Sequence, residues 1–188
     1  YQPSTGQTAC IEASPGYYVD SYASASQTAC SPGTYQPNNA SSSCHDASPG
    51  YYVPTTGAIN QTACSPGTYN PNSGSHSPTD CVLASGGYYV ASAGMAEQTP
   101  CSSGTYQPST GQTNCIHSTP GYYVPSNAST VQTPCAIGHY QPNNASSSCY
   151  EAEPGHYVNF QSATDQTACD AGTYNPSNGS ISSDDCID

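Results

Sequence analysis

The sequence contains no lysine and no arginine, and this absence excludes whole classes of function. Nucleic-acid binding requires cationic side chains that contact the phosphates, so we expect no nucleic-acid partner. Binding to anionic membranes is disfavoured for the same reason. The 12 aspartates and glutamates give a formal net charge of −12 and are scattered along the chain. They predict a solvated, self-repelling surface rather than a specific cation site.

Large apolar side chains are also scarce. The chain has no tryptophan, one phenylalanine and one methionine, and only 34% of its residues are hydrophobic. This composition excludes a large core, and 17 tyrosines must supply much of the large apolar area. No run of about 18 apolar residues occurs, so we expect no membrane insertion in this segment. Nothing resembles a signal peptide, and any such segment would lie outside these residues.

Catalytic motifs are missing as well. The sequence has no G-x-S-x-G, no H-E-x-x-H and no phosphate-binding glycine loop, and no carboxylate pair recurs beside a base. The histidines fall at non-equivalent places and are predicted to be surface substitutions: His45, His76, His117, His139 and His156. We therefore predict no enzyme activity, no catalytic residue, no metal site and no cofactor.

The chain contains 11 cysteines at regular intervals. Successive cysteines are separated by 20, 14, 20, 17, 20, 14, 20, 14, 20 and 17 residues, which defines repeats of 34 or 37 residues. A larger period of 105 residues is superimposed, because Tyr1–Thr8 reappears letter for letter as Tyr106–Thr113. We therefore divide the chain into residues 1–105 and an incomplete second period, 106–188. Both begin or end inside a repeat, which predicts a window on a longer array.

Each repeat divides into two half-units with related motifs. The first reads C-x-x-G-[TH]-Y-[QN]-P, and the second reads C-x-x-[AS]-x-[PG]-G-[YH]-Y-V and closes with Q-T-[AP]-C. Pro-Gly turns followed by alternating Tyr and Val positions predict short hairpins. The predicted fold class is an all-β, elongated array of disulfide-stapled hairpin modules with little core and no helix. Eleven cysteines at fixed spacing predict disulfides, and therefore an oxidising, extracellular or cell-surface location.

The half-unit C-x-x-G-T-Y-x(8)-C, as in Cys30 to Cys44, resembles the Cys-rich modules of ephrin-receptor-like repeats and, more distantly, of tumour necrosis factor receptor ectodomains. The resemblance extends over essentially the whole chain and implies a fold and an extracellular location more than a function. In those modules the cysteine before the G-x-Y bonds the cysteine after the hairpin. The implied pairs are Cys30–Cys44, Cys64–Cys81, Cys101–Cys115, Cys135–Cys149 and Cys169–Cys186.

An alternative ladder would join the cysteines that are 20 residues apart. Its pairs would be Cys10–Cys30, Cys44–Cys64, Cys81–Cys101, Cys115–Cys135 and Cys149–Cys169. Aligning the half-units places alanine or serine at the first cysteine position of alternate copies, at Ala13, Ala47, Ala84, Ser118 and Ala152. This alignment favours the first ladder. Either ladder leaves one cysteine unpaired.

Two further sets of residues are candidates for function. Five N-x-[ST] sequons in the predicted turns are candidate N-glycan sites, at Asn39, Asn60, Asn127, Asn144 and Asn178. Asn39 and Asn144 are equivalent across the 105-residue period. Tyrosine pairs recur once per repeat, and one ring of each is predicted to pack between repeats, while the other is free to face a sugar or a neighbouring chain. These are Tyr17, Tyr18, Tyr51, Tyr52, Tyr88, Tyr89, Tyr122 and Tyr123, with Tyr157 beside a histidine.

The favoured hypothesis is an extracellular structural protein that forms or decorates a cell-surface or secreted fibre. Its expected partners are copies of itself, in a polymer or a longer array, and covalently attached glycans. The alternative is a receptor or adhesin stalk that binds a protein or glycan ligand, although the most variable loops have no charged or aromatic focus. An ice-binding solenoid is a remoter option, because threonines are sparse along each strand.

Overall fold

The computed structural model describes all residues, Tyr1–Asp188, and is all-β. Each of its 18 strands is two residues long and pairs antiparallel with its chain neighbour, which gives nine hairpins. The strands are β1 (Tyr17–Tyr18), β2 (Thr28–Ala29), β3 (Thr34–Tyr35), β4 (His45–Asp46), β5 (Tyr51–Tyr52), β6 (Thr62–Ala63), β7 (Thr68–Tyr69), β8 (Val82–Leu83), β9 (Tyr88–Tyr89), β10 (Thr99–Pro100), β11 (Thr105–Tyr106), β12 (Ile116–His117), β13 (Tyr122–Tyr123), β14 (Thr133–Pro134), β15 (His139–Tyr140), β16 (Tyr150–Glu151), β17 (His156–Tyr157) and β18 (Thr167–Ala168). A bridge between Tyr174 and Ile187 outlines a tenth hairpin.

The chain forms two compact units. One contains Tyr1–Ala84 and Val90–Gln98, and the other contains Ser85–Tyr89 and Thr99–Asp188. The strands of the hairpin β9–β10 thus belong to the second unit and its loop to the first. The division after residue 105 that we drew from the sequence describes a period of the sequence and does not coincide with these units.

A tight turn opens every hairpin, and it explains the Pro-Gly signals of the sequence. In the turn Ser14-Pro15-Gly16-Tyr17, the amide of Tyr17 donates to the carbonyl of Ser14 at 3.0 Å. Gly16 has φ of 82°, as the third position of such a turn requires. The equivalent glycine opens each later hairpin, 17 residues apart except for one interval of 20 residues between Gly67 and Gly87.

Backbone hydrogen bonds connect each hairpin to the next one within each unit. Hairpins β13–β14 and β15–β16 illustrate the pattern. Three amides donate across the junction: Gly121 to the carbonyl of Gln141 at 2.8 Å, Val124 to Ser146 at 2.9 Å, and Ala145 to Ser118 at 3.0 Å. Hairpins of two-residue strands are marginal alone, so these bonds, together with the disulfides, give each hairpin the support it lacks.

The buried residues are small, as the composition requires. Valines at one position of alternate hairpins are 0–2% exposed, namely Val53, Val90, Val124 and Val158. Alanines and cysteines make up the rest of the buried apolar set, and one small cluster joins Ala152, Val158 and Ala163 with Tyr140 against it. Little apolar area is therefore available, and main-chain bonds and disulfides must contribute much of the stability.

Buried amide side chains hold the loops of the disulfide-closed hairpins. Gln107 is 3% exposed, its Nε2 donates to the carbonyl of Asn114 at 2.9 Å, and its Oε1 accepts from the amide of Ser109 at 3.1 Å. Gln36, Gln141, Asn70 and Asn175 occupy equivalent positions and are also buried. This is the role of the [QN] in the Y-[QN]-P motif: one side chain satisfies two main-chain groups that the loop would otherwise leave unpaired.

The all-β fold class predicted from the sequence is confirmed. There is no α-helix, but two single turns of 3₁₀-helix are present, at Pro78–Asp80 and Ser183–Asp185. Both lie between cysteines that are 17 residues apart, where the loop has three more residues than the 14-residue loops. Ser77 and Asp80 form a capping box at the first turn, and Ser182 and Asp185 form one at the second.

Candidate functional site

Five disulfides close alternate hairpins. They join Cys30–Cys44, Cys64–Cys81, Cys101–Cys115, Cys135–Cys149 and Cys169–Cys186. These are the pairs that the resemblance implies, and the alternative ladder of 20-residue separations does not occur. Five disulfides in one chain of this length indicate an oxidising environment. Cys10 is exposed and unpaired.

The alternation of cysteine with small residues has a structural basis. The amide of Cys30 donates to the carbonyl of Gly16, and the amide of Ala47, 17 residues later, donates in the same way to Gly33. Both residues are fully buried. Ala47 therefore occupies the place of the first cysteine in a hairpin that is held by its neighbours and has no disulfide.

All five sequon asparagines are exposed. Asn39, Asn127, Asn144 and Asn178 occupy one structural position, six residues after the opening glycine of a hairpin. The residue after each has positive φ: 56° at Ala40 and Ala128, 55° at Ala145 and 68° at Gly179. The 105-residue period of the sequence equates only Asn39 with Asn144, whereas an alignment of the 17-residue half-units also places Asn127 and Asn178 at this position.

The main chain beside these asparagines faces the protein, whereas the asparagine side chains face solvent. Ala145, for example, donates its amide to the preceding hairpin, while Asn144 is exposed. Asn127 accepts a bond from the amide of Ser103 through Oδ1 at 3.0 Å, which does not use the Nδ2 that carries an N-glycan. Asn60 lies four positions further along its hairpin loop than the other sequon asparagines do in theirs. Glycosylation of all five remains a prediction.

The tyrosine pairs are half-buried in every repeat. The first ring packs over a loop of the second hairpin further along, as Tyr17 does at Gly57 and Tyr51 at Gly94. A Cβ at Gly94 would lie only 2.7 Å from Tyr51 Oη, so a larger residue there would displace the tyrosine ring. The second ring lines a groove beside the next disulfide, at Tyr89 and at Tyr157. Tyr17 and Tyr51 thus pack between hairpins, and Tyr89 and Tyr157 line accessible grooves; the same arrangement in the other pairs stays a prediction.

In two of the disulfide-closed hairpins, the tyrosine of the first strand lies close to a ring on the second strand. The ring of Tyr140 lies 5.8 Å from that of Tyr150, and Tyr35 lies 5.8 Å from His45. Burial raises the pKa of Tyr140, and the carboxylates of Glu153 and Asp165 raise it further. The ring of Tyr140 packs against the small cluster of Ala152, Val158 and Ala163.

Few side chains are arranged for acid–base or metal chemistry. The one histidine–carboxylate contact joins His139 Nε2 to Glu151 Oε1 at 3.9 Å, and both side chains are substantially exposed. No group of three or more histidine, cysteine, aspartate or glutamate side chains is placed to hold a metal ion. The structure contains no helix that is long and apolar enough to cross a membrane. Comparison with known protein families and with curated proteins finds no match.

Proposed function

We propose that this chain is an extracellular structural protein that forms or decorates a cell-surface or secreted fibre and carries N-linked glycans. The observation that carries the proposal is the series of backbone hydrogen bonds from each hairpin to the next within each unit. Such bonds depend on main-chain position more than on side-chain identity, so successive repeats can vary at their surfaces and still join. Arrays of this kind gain length without a large core.

The disulfides suit a protein that bears tension. Each bond joins a cysteine before a hairpin's opening turn to the cysteine at the end of its loop, as Cys30 and Cys44 do around β3, at a sequence separation of 14 or 17 residues. A pull along the chain would pass through the disulfide and leave the loop inside it unextended. The segments between disulfides are held by hydrogen bonds to neighbouring hairpins, as at Gly121 and Gln141. We propose no catalytic step for this chain.

The fibre proposal is tested by electron microscopy of the protein secreted with its disulfides formed, in its glycosylated state. We expect filaments, or protein bound along filaments, in preparations at neutral pH. Reduction of the disulfides should abolish them. A population made up only of isolated compact monomers, under oxidising conditions and over a range of concentrations, would overturn the proposal.

Glycan occupancy is a separate prediction. We expect high occupancy at the four equivalent asparagines, Asn39, Asn127, Asn144 and Asn178, because their Nδ2 groups are exposed and the neighbouring main chain is already bonded. Enzymatic release of N-glycans in ¹⁸O water followed by peptide mass spectrometry would mark each occupied asparagine as labelled aspartate. Asn38 and Asn143, which neighbour sequons but belong to none, are internal controls. Unlabelled peptides at all four positions would contradict the prediction.

A further inference from the structure

A small recess lies in the second unit between the strand β9 and the disulfide-closed hairpin β11–β12. It has a volume of about 250 Å³ and is lined by Tyr89, Ser102, Thr105, Asn114, Cys115 and His117. This volume is below the roughly 300–1,000 Å³ of typical drug-sized sites, so the recess suits a group of about one ring. Larger recesses lie near the two ends of the chain, one beside Tyr1 and Tyr22 and another beside Asn175 and Ile187.

The lining combines an aromatic ring with neutral hydrogen-bonding groups. Tyr89 is half-buried, so its ring is held by the fold but remains accessible. Thr105 Oγ1 donates to the carbonyl of Ser102 at 2.7 Å, which leaves the Thr105 oxygen as an acceptor. Asn114 and His117 are exposed at the rim, and each offers a donor and an acceptor when the imidazole is neutral. An apolar face beside convergent donors and acceptors matches the C–H face and the hydroxyls of a sugar ring.

The charges in and around the recess favour a neutral ligand. No acidic residue lines the recess, and the sequence has none between Gln98 and Tyr150, although the chain as a whole carries −12. A cation would therefore find no carboxylate in the recess, and an anion would be repelled by the net charge. The equivalent groove at Tyr157 differs, because Asp170 lines it and its volume is only about 70 Å³. The Tyr89 recess is thus suited to a neutral polyhydroxylated ligand.

We propose that the Tyr89 recess binds one ring of a neutral saccharide, with the ring stacked on Tyr89 and its hydroxyls bonded to Asn114 and His117. The saccharide can belong to a free polysaccharide or to an N-glycan on another copy of the chain. The binding step itself does not require that the chain form a fibre. Recognition of a glycan on another copy would in addition rest on the glycosylation proposed above.

The test uses the full chain with its disulfides formed and with all five sequon asparagines changed to glutamine, so that it carries no N-glycan of its own. Neutral oligosaccharides of glucose, galactose, mannose and N-acetylglucosamine are titrated by ligand-observed and protein-observed NMR. We expect binding of at least one of them, in the millimolar range that a shallow single-ring site allows. Asn114→Ala and His117→Ala should each weaken it about tenfold, as expected for the loss of one hydrogen bond at about 1.4 kcal/mol.

Matched controls are available in the same chain. Tyr89→Ala should abolish binding, whereas Tyr157→Ala, at the same place in β17, should leave it unchanged. His45→Ala removes an exposed histidine from another hairpin and should also have no effect. These pairs separate loss of the site from general damage to a hairpin.

The two sources of saccharide are distinguished by a second arm. The glycosylated protein is added to the sequon-free protein in place of the free oligosaccharides. If only the glycosylated protein binds, and Asn114→Ala reduces that binding, the proposal holds and the ligand is a glycan of another copy. If the free oligosaccharides bind, the proposal holds and the ligand is a separate polysaccharide. If neither arm shows binding that depends on Asn114, His117 and Tyr89, the proposal is wrong. The imaging test of the fibre stands independently of that result.

Discussion

Removal of one disulfide by the paired change Cys101→Ala and Cys115→Ala is expected to lower the free energy of unfolding of its hairpin by about 3 kcal/mol. The bond closes a loop with a sequence separation of 14 residues, and a crosslink over a loop of about that length stabilises by about 3 kcal/mol in the chain-entropy view. The little core around it cannot compensate for such a loss. Alanine itself fits the first position, because Ala47 and Ala152 occupy it in other hairpins.

The effect should be local, because each hairpin contacts only its near neighbours. Amide hydrogen exchange followed by mass spectrometry should show faster exchange in peptides that contain β11 to β14, with little change before residue 60. Cys10→Ser is the control, since Cys10 is exposed and forms no disulfide. Its expected effect is within about 0.5 kcal/mol. If the double variant exchanged no faster than Cys10→Ser, the disulfides would not be the main supports of these hairpins.

The hairpins could be predicted from the sequence because their signals are local, whereas the choice between the two disulfide ladders rested on the family resemblance and on the alignment of half-units. The Pro-Gly turn, the short Tyr and Val alternation and the cysteine spacing each act within about 20 residues, so a single repeat contains the whole signal. The division into half-units also agrees with the structure, since Cys30 and Ala47 prove to be equivalent.

The two 3₁₀ turns have a local sequence signal, which is easily missed among the many hairpin and turn residues of the chain. Ser77 to Asp80 and Ser182 to Asp185 both follow the pattern Ser-x-x-Asp, which is typical of a helix start. The hairpin and turn signals of each half-unit predict no helix for the chain as a whole. The three additional residues of the longer loops needed hydrogen-bond partners of their own, and a single capped turn supplies them.

The backbone hydrogen bonds between hairpins could not be predicted, because they are made by the main chain. A bond from the amide of Gly121 to the carbonyl of Gln141 leaves no trace in side-chain type. The only sign of this contact in the sequence is the glycine itself, and the Pro-Gly turn alone is enough to explain a glycine at that position. Its second role, close contact with the loop two hairpins further along, requires knowledge of how the hairpins meet. The Tyr89 recess was hidden for the same reason, since its lining comes from two hairpins.

That second role of glycine leads to the other large expected effect. Gly121→Ala is expected to lower the free energy of unfolding by about 2–5 kcal/mol. Gly121 has φ of 81°, where an L-residue costs about 1–2 kcal/mol. A Cβ there would also lie 2.8 Å from the carbonyl carbon of Ser162 and closer still to its oxygen. Overpacking of this kind adds about 1–3 kcal/mol, and the obstructing atoms belong to the main chain and cannot change rotamer.

Gly155→Ala separates the two contributions. Gly155 opens its hairpin as Gly121 does and has φ of 80°, but a Cβ there would meet nothing within 4 Å. This control should therefore show only the backbone cost of about 1–2 kcal/mol. Denaturant unfolding and hydrogen exchange of both variants measure the difference directly. Equal destabilisation by the two changes would mean that the close contact between Gly121 and Ser162 contributes nothing to the free energy of unfolding.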